Sequence, residues 1–312
     1  NYNNYNYKKN LFIKLNIYIH MKICLVGDTG SGKKEQYLVA DAISDYHDNY
    51  GLKAVLILGD NIYEDGVSSI DDKQFHTKFE KPYQHIDLPF YLLLGNHDYA
   101  NIRGTDAFLD HAIHQIDYHK LSDKWNMPKR YYSVKLGNCE FFMLDTNLEN
   151  MTPTEITQQA KTMNHKIKKS KKTHKFLCGH HTWRSTGGHG NADTLFENFM
   201  TKIVRGTNIK SYFCGHDHCK NHIIIPFPTT RNTKRQTRKT TKKKTTRKKP
   251  TKSIHVYVVG TGGKSMDESY MDSQQIKPPD QLMYHDADLG FIILDSHGTG
   301  KKVNISIMSV KD

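Results

Sequence analysis

Five short polar motifs, each placed directly after an apolar run, constrain the fold of this 312-residue chain more than any other feature. Each motif begins with glycine and continues with Asp, Asn or His. In chain order the motifs are Gly27-Asp28, Gly59-Asp60-Asn61, Gly95-Asn96-His97-Asp98, Gly179-His180 and Gly215-His216-Asp217-His218. A short apolar run that ends at glycine is typical of a buried strand whose carboxyl end opens onto a crevice. The motifs therefore predict polar side chains gathered at the edge of a sheet.

These side chains are of the types that bind transition metals. Carboxylate oxygens, amide oxygens and imidazole nitrogens are ligands for iron, manganese and zinc. A single Asp after a strand would more often cap a helix or a loop. Five motifs in series favour a metal site assembled from several strands.

The apolar pattern predicts an α/β fold. Buried strands are predicted at 23–26, 54–58, 90–94, 175–178 and 209–214, a hairpin at 131–136 and 140–146, and later strands at 254–259, 291–295 and 303–310. In the last of these strands, apolar and polar residues alternate, as is typical of an edge strand. Helices are predicted at 35–47, 71–83, 105–122 and 154–170. Alternating strands and helices with added hairpins indicate two packed sheets with helices outside them.

The net charge of +13 is concentrated in one segment. Residues 229–252 contain 12 Lys or Arg and no acidic residue, which leaves a net charge of +1 (13 minus 12) for the rest of the chain. Because like charges repel and this segment has nothing to bury, we expect it to be a disordered basic insertion loop. Such a tract can bind nucleic acid or another polyanion weakly, or act as a nuclear address.

Residues 1–20 have neither the apolar core nor the cleavage site of a secretory signal, and Met21 precedes the first strand pattern. We expect a disordered or non-native extension, followed by one domain at 21–312. No apolar stretch reaches the roughly 18 residues of a membrane span. The five cysteines form neither a disulfide ladder nor a CxxC zinc pair, which favours an intracellular, reducing location.

The ordered motifs resemble those of the calcineurin-like metallophosphoesterases, and among them the small, tartrate-resistant type of purple acid phosphatase. The resemblance runs from about residue 23 to 307 and implies a four-layer α/β/β/α sandwich of two mixed sheets flanked by helices. Most of that superfamily has a metal-binding His two residues after the first Asp, whereas Gly30 stands there in this chain. In the purple type a Tyr replaces that ligand, and Tyr63 in Gly59-Asp60-Asn61-Ile62-Tyr63 resembles it.

The resemblance implies a dinuclear centre with seven ligands. The first metal, ferric iron, would be held by Asp28, Asp60, Tyr63 and His218. The second metal, iron(II), manganese or zinc, would be held by Asp60, Asn96, His180 and His216. A phenolate is a hard anionic donor, which is why the trivalent ion is expected beside Tyr63.

The implied enzyme is a phosphoric monoester hydrolase in which a metal-bound hydroxide attacks phosphorus in line. His97 would face the substrate, where an imidazolium stabilises phosphoryl charge or protonates the leaving oxygen. Asp98 would orient the His97 ring, and His189, between glycines, resembles the family's other substrate-side His. The substrate would be a phosphorylated small molecule or a phosphoprotein.

Several departures and alternatives leave the substrate open. Thr29 stands where an aromatic residue is usual, His181 where Tyr is common, and Trp183-Arg184 alters the segment after the fourth motif. The same metals could serve a phosphodiesterase or a protein phosphatase. A protein that binds nucleic acid through its basic loop, with a vestigial metal site, is a further alternative. A phosphate-binding P-loop at 27–34 is disfavoured because Lys34 occupies the position that needs Ser or Thr.

Overall fold

The computed structural model describes residues 20–100, 109–228, 251–297 and 302–311. The strands are β1 (His20–Val26), β2 (Leu52–Ile57), β3 (Phe90–Leu92), β4 (Trp125–Asn126), β5 (Tyr132–Leu136), β6 (Cys139–Met143), β7 (His174–Cys178), β8 (Ser211–Cys214), β9 (Lys220–Pro228), β10 (Thr251–Val259), β11 (Gln281–Asp286), β12 (Gly290–His297) and β13 (Val303–Ser309). The helices are α1 (Lys34–Tyr50), α2 (Lys73–Phe75), α3 (Leu109–Tyr118), α4 (Pro153–Lys169) and α5 (Thr194–Val204).

The strands form two mixed sheets. The first sheet has six strands in the order β13-β12-β1-β2-β3-β4, and the second has seven in the order β11-β9-β10-β8-β7-β6-β5. In the first sheet β1, β2, β3 and β4 run parallel, and in the second β6, β7, β8 and β10 do so. The remaining strands are antiparallel additions at the edges. Each sheet therefore brings the carboxyl ends of its parallel strands to one edge, which is where the polar motifs lie.

The two edges meet at the backbone. The amide of Gly27, after β1, donates to the carbonyl of Val259, at the end of β10, at 2.8 Å. The amide of Gly262, after β10, donates to the carbonyl of Gly27, after β1, at 3.0 Å. The motifs of both sheets consequently share one crevice.

The helices cover the outer faces of the sheets. α1 buries Val39, Ala40 and Ile43 in the larger apolar cluster, which contains residues of both sheets. α4 and α5 build a separate apolar cluster on the other face of the second sheet. Thr152 and Glu155 form a reciprocal capping box at the start of α4, which satisfies free amides of its first turn. The expected α/β/β/α arrangement is confirmed. None of the helices in the described ranges is long and apolar enough to cross a bilayer.

The basic insertion separates two strands of a single hairpin. β9 and β10 pair antiparallel along their whole length, from Lys220 opposite Val259 to Pro228 opposite Thr251. The predicted insertion at 229–252 lies outside the described residues except for its last two, which begin β10. The predicted extension at 1–20 also lies outside them except for His20, the first residue of β1.

The predicted strands and three of the four predicted helices are confirmed in position, with ends shifted by a few residues, although residues 105–108 of the predicted helix 105–122 lie outside the described residues. The exception is 71–83, where α2 has three residues and continues as wider π-helical turns over His76–Glu80. Phe75, Phe79 and Tyr83, spaced four residues apart, still reach the core. Helix α5 and strands β4, β9 and β11 were given no bounds by the sequence prediction.

Candidate metal centre

Three of the predicted ligands stand on left-handed backbone. Asp28, Asp60 and His216 have φ angles of 59°, 52° and 72°. This conformation is uncommon for residues other than glycine, and such strain is typical of functional sites. Packing holds these turns in place, because a Cβ on Gly95 would lie 2.1 Å from Asp60 Oδ1 and a Cβ on Gly215 would lie 2.2 Å from Asp28 Oδ2. The glycines of the motifs thus leave space for the carboxylates beside them.

One half of the centre joins Asp28, Tyr63 and His218. The Tyr63 hydroxyl donates to Asp28 Oδ1 at 2.9 Å and lies 3.2 Å from His218 Nε2. His218 Nε2 is 3.4 Å from Asp28 Oδ1. Two of these side chains come from the first sheet and one from the second, and their polar atoms point at a common centre.

The other half joins Asn96, His180 and His216. Asn96 Oδ1 lies 3.0 Å from His180 Nε2 and 3.0 Å from His216 Nδ1. Those two ring nitrogens are 3.2 Å apart. Asp60 lies between the halves, because its Oδ1 is 3.3 Å from His180 Nε2 and ligand atoms of Asp28, Asp60 and His180 all lie within 4.8 Å of one another. The structure therefore brings all seven predicted ligands together.

Hydrogen bonds on the far side of His180 fix which nitrogen faces the centre. His180 Nδ1 donates to the carbonyl of Leu58 at 2.9 Å, so Nε2 keeps its lone pair when the ring is neutral. The main-chain amide of His216 donates to Asp28 Oδ2 at 2.8 Å, which ties the turn after β8 to the turn after β1. This pattern suits imidazole ligands that are oriented before an ion binds.

The electrostatics of the cluster fit a bound cation. Burial alone would lower the pKa of His180, but the adjacent Asp60 carboxylate raises that pKa to about 9. Burial and then the Asp28 carboxylate raise the pKa of the Tyr63 hydroxyl well above its ordinary value. Burial and then the neighbouring imidazoles lower the pKa of His216 well below its ordinary value. An ion at this position would replace the proton on His180 and favour a Tyr63 phenolate.

His97 lies beside the first half of the centre. Its ring is 4.6 Å from the Tyr63 ring, and its main-chain amide donates to Asp60 Oδ1 at 3.1 Å. His97 Nδ1 donates to the carbonyl of Glu64 at 2.5 Å. That bond leaves Nε2 as the nitrogen that can act on a bound group.

Asp98 does not orient the His97 ring as expected. Its carboxylate is fully buried and accepts from the amides of Asn61, Ile62 and Gly95 and from the side chain of Gln115. Burial and then the Asp60 charge raise the pKa of Asp98 to about 6. The reason for the difference is that Asp98 lies under the loop after β2, where free backbone amides compete for its oxygens. Asp98 therefore holds the loop that carries Asp60.

His189 lies on the open side of the second half. Its ring is exposed and packs 4.0 Å from the His216 ring at an angle of 30°. Asp217 holds this position, since its Oδ1 accepts from the His189 amide at 2.8 Å and its Oδ2 from the Gly190 amide at 3.3 Å. The structure thus places both predicted substrate-side histidines at the centre.

The departures from the family pattern lie next to the ligands and not among them. His181 Nδ1 forms a hydrogen bond with Thr146 Oγ1 at 2.9 Å. Burial, and to a smaller extent the charge of His180, lowers the pKa of His181 to about 3. Trp183 is buried and donates from Nε1 to Glu197 at 2.8 Å, while Arg184 pairs with Asp280 at 2.7 Å. These two residues tie neighbouring segments together.

Two residues at the site were not anticipated from the sequence. Asp217 belongs to the fifth motif, and its position between two predicted ligands could have indicated a role at the site. Lys264 places Nζ 3.5 Å from the centroid of the Tyr63 ring and 3.1 Å from Glu64. Nothing in the sequence links Lys264 to Tyr63, because the two lie about 200 positions apart.

Comparisons with known proteins agree with this geometry. A family model for calcineurin-like phosphoesterases matches residues 21–220. Purple acid phosphatase 7 of Arabidopsis thaliana is 30% identical over 224 residues, which cover 65% of this chain and 66% of that protein. Tartrate-resistant acid phosphatase type 5 of Rattus norvegicus is 30% identical over 191 residues, which cover 54% of this chain and 55% of that protein. The matched parts span less than two thirds of either relative.

Two solved structures share the fold at low sequence identity. A purple acid phosphatase from yellow lupin (Lupinus luteus) seeds gives a TM-score of 0.67 at 16% identity, covering 94% of this chain and 52% of that one. A Plasmodium protein described as the anchor in the inner membrane complex gives a TM-score of 0.67 at 16% identity, covering 94% and 90%. Because one neighbour is named as an enzyme and the other as an anchor, these likenesses support the fold alone.

Proposed function

This chain belongs to the calcineurin-like phosphoesterase family, and from that membership we propose that it hydrolyses phosphomonoesters at a two-metal centre of the purple acid phosphatase type. The observation that supports the proposal is the convergence of two ligand sets on one carboxylate. Asp60 lies 3.3 Å from His180 of the second set, and its carboxylate lies within 4.8 Å of Asp28 of the first set. Relatives named purple and tartrate-resistant acid phosphatases support the same reaction class.

The proposed ligands divide as the two halves of the site do. Ferric iron would be held by Asp28, Tyr63, His218 and Asp60, and iron(II), manganese or zinc by Asn96, His180, His216 and Asp60. Bound ions would polarise the phosphoryl group and lower the pKa of a water nucleophile. The donor set of a phenol, carboxylates, an amide and imidazoles fits borderline and hard first-row ions.

The residues of the chain itself would bind and orient the phosphoryl group. His97 keeps Nε2 available because its Nδ1–H is used by the Glu64 carbonyl. From that atom it could donate a proton to the leaving oxygen. His189, on the other side of the site, could bind a phosphoryl oxygen and so help to fix the in-line geometry. The two histidines act from opposite halves of the centre.

The test combines colour, metal content and turnover. Protein produced with iron is expected to show a visible phenolate-to-iron absorption band and to hydrolyse p-nitrophenyl phosphate. Tyr63→Phe should lose the band and at least tenfold in kcat/KM, as expected for loss of an anionic ligand. Turnover of bis(p-nitrophenyl) phosphate by the parent would test the phosphodiesterase alternative, and a phosphoprotein substrate would test the protein phosphatase alternative.

The matched control is Tyr83→Phe. Tyr83 is equally buried, but its ring packs against Phe79 and Phe90 away from the proposed ligands. This variant should keep both the band and the activity. A colourless, metal-loaded and active parent would contradict the purple type, and a protein with neither metal nor activity would contradict the whole proposal.

A further inference from the structure

The folded part carries a dense positive charge at the end of the second sheet that is remote from the candidate metal centre. Residues 161–175 contain seven Lys and no Asp or Glu, although the chain outside 229–252 has a net charge of only +1. They form the end of α4, the loop after it and the start of β7. Because β7 runs for five residues, roughly 17 Å, before the turn that carries His180, this charge lies far from the proposed ligands.

Two neighbouring segments extend this charge across the sheet. The side chain of Asn164, in α4, donates to the carbonyl of Arg205 at 2.9 Å, and Lys252, at the start of β10, donates to the carbonyl of Thr207 at 3.2 Å. The loop 205–210 therefore joins the end of α4 to the start of β10. The surface that we call the basic face contains ten Lys or Arg and no acidic residue, and it consists of 166–175, 205–210, Lys135 and Lys252.

Two cavities next to the loop after α4 make the basic face concave. The larger, of about 580 Å³, is lined by Lys135, Lys166, Lys169, Lys171 and Lys172. The smaller, of about 440 Å³, has Lys175 and Lys210 in its lining. Among the described residues that line the two cavities, Glu140 is the one carboxylate, and it is buried and accepts from the hydroxyls of Ser133 and Ser170. The cavities therefore present seven cations and a single anion.

The hydrogen bonds of these cations leave the positive charge uncompensated. Lys172 donates to the carbonyl of Gly137 at 2.5 Å, and Lys175 donates to the carbonyls of Ile167 and Ser170, both at 2.9 Å. Main-chain carbonyls are neutral acceptors. Burial and then the charge of Lys210 lower the pKa of Lys252 to about 8, as expected where cations adjoin one another. An anion bound at this face would relieve that repulsion.

The extent and composition of the basic face favour an extended polyanion. From β10 to β5 the second sheet crosses four strand spacings, about 19 Å. Duplex nucleic acid carries one charge per about 1.7 Å of its axis, so a stretch of this length has on the order of ten phosphates. In the described part of the chain, the large apolar side chains with high exposure lie outside this face. The face therefore has neither rings on which single-stranded bases stack nor apolar residues that enter a bilayer.

We propose that the basic face binds double-stranded nucleic acid through its phosphate backbone, without reading its sequence. Lysines of both cavities would contact phosphates, and the counterions of those phosphates would be released. The inference does not depend on the proposed phosphatase activity, because the face and the candidate metal centre lie at different ends of the second sheet. It also differs from polyanion binding by 229–250, a segment that joins the fold between Pro228 and Thr251.

The experiment measures binding of the full chain to a short fluorescent duplex of mixed sequence, by anisotropy between about 50 and 200 mM salt. One variant combines Lys166→Gln, Lys169→Gln and Lys171→Gln, which removes three exposed cations of the larger cavity. It should bind about tenfold more weakly or less, and the slope of log K against log salt should become shallower by about 2–3, since each phosphate contact contributes about 0.9. A second variant, Arg205→Gln with Lys210→Gln, should make the slope shallower by about 1–2.

The matched control replaces Lys73, Lys81 and Lys277 with Gln, which removes the same charge as the first variant from exposed positions outside the basic face. It should keep the affinity and the salt slope of the parent within about twofold, because exposed charges beyond the Debye length are screened. Thermal unfolding of every variant should match the parent, which shows that the fold is intact. The same comparison in a chain whose Lys and Arg in 229–250 are replaced with Ser removes the contribution of that segment.

The outcomes decide between the occupants of the face. Duplex binding that weakens in both face variants and persists in the control would support the proposal. Equal binding by the face variants and the control would overturn it, and so would tighter binding of a single strand than of a duplex of equal length. Binding to vesicles rich in phosphatidylserine without binding to the duplex would also overturn it, and would assign the face to an anionic membrane.

Discussion

At Tyr63, a predicted ligand lies between a carboxylate and an ammonium group. Its hydroxyl donates to Asp28, while Lys264 Nζ lies 3.5 Å from the centroid of its ring. A cation over an aromatic face is attracted by about 0.5–2 kcal/mol, and more charge on the ring strengthens the attraction. The positive charge of Lys264 should therefore lower the energy of the phenolate orbital through which Tyr63 would donate electrons to iron.

Replacing Lys264 with Met should move the visible band of the iron-loaded protein to longer wavelength, by on the order of 10 nm. The reason is that the donor orbital of the phenolate rises in energy when the positive charge is removed. The measurement is the absorption spectrum at equal iron content. Lys264→Arg keeps the charge and should keep the band position, and an unmoved band in Lys264→Met would show that the ammonium has no electronic effect.

The metal ligands could be predicted from the sequence, whereas the residues that hold them in place could not. Asp28 and Asp60 each follow an apolar run and a glycine, a local pattern that also fixes their place at a strand end. The partners of Asp98 could not be predicted, because its oxygens bond to amides 36 and 37 positions away. The contact between Lys264 and Tyr63 could not be predicted for the same reason. Contacts between loops depend on packing that no local pattern records.

Among the elements, the turn after β8 supports the loop that carries His189. Asp217 accepts two amides of that loop, and a Cβ on Gly187 would lie 2.6 Å from the Asp217 carboxyl carbon. The turn and the loop are therefore closely packed. The position of His189 depends on a carboxylate that lies between two proposed ligands.

Asp217→Ala should lower kcat about tenfold or more with little change in metal content, because the His189 loop loses both of its anchoring acceptors. His189→Ala should cause a loss of similar size, and the double variant should be little worse than either single one. Steady-state kinetics and metal analysis of the three variants measure this. Loss of metal from Asp217→Ala would instead show that Asp217 mainly positions the ligands His216 and His218.

Some elements left a sequence signal and others did not. The sequence of α5 has an apolar pattern at helical spacing, which follows the cap Asp193 and consists of Phe196, Phe199, Met200 and Ile203. This helix could therefore have been predicted. β11 has mostly exposed residues and lies at the edge of its sheet, paired with β9. Such an edge strand is determined by its partner, and its own residues carry little signal.

At the scale of the whole molecule, the candidate site and the two strand ends that precede and follow the basic segment lie at opposite ends of one hairpin. β9 leaves the site at Lys220, directly after the fifth motif, and reaches Pro228 opposite Thr251. With about 3.3 Å for each residue, the tip is about 25 Å from the site. Polyanion binding by residues 229–252 remains a prediction that can be tested separately from catalysis.

Replacing 229–250 with a short Asn-Gly turn should leave kcat/KM for p-nitrophenyl phosphate unchanged, since Pro228 and Thr251 are already paired neighbours. The same change should lower the salt concentration needed to elute the protein from immobilised heparin, because 11 of the 12 cations of the segment are removed. A matched variant that keeps the length but replaces these Lys and Arg residues with Ser separates charge from loop length. Unchanged elution in both would assign any polyanion affinity to the folded part.

The division of the ligands between the two sheets sets an order of events during synthesis. Each proposed metal takes ligands from both sheets, and the first and last of them, Asp28 and His218, are 190 positions apart (218 minus 28). β1, which precedes Asp28, lies between β2 and β12, and β12 pairs with β13, so the first sheet is incomplete until residue 309 has been made. Until then the ligands that follow the strands of the first sheet would not be held by a complete sheet, and they would bind metal weakly. Metal acquisition should consequently be a late step, one that the finished chain completes after release.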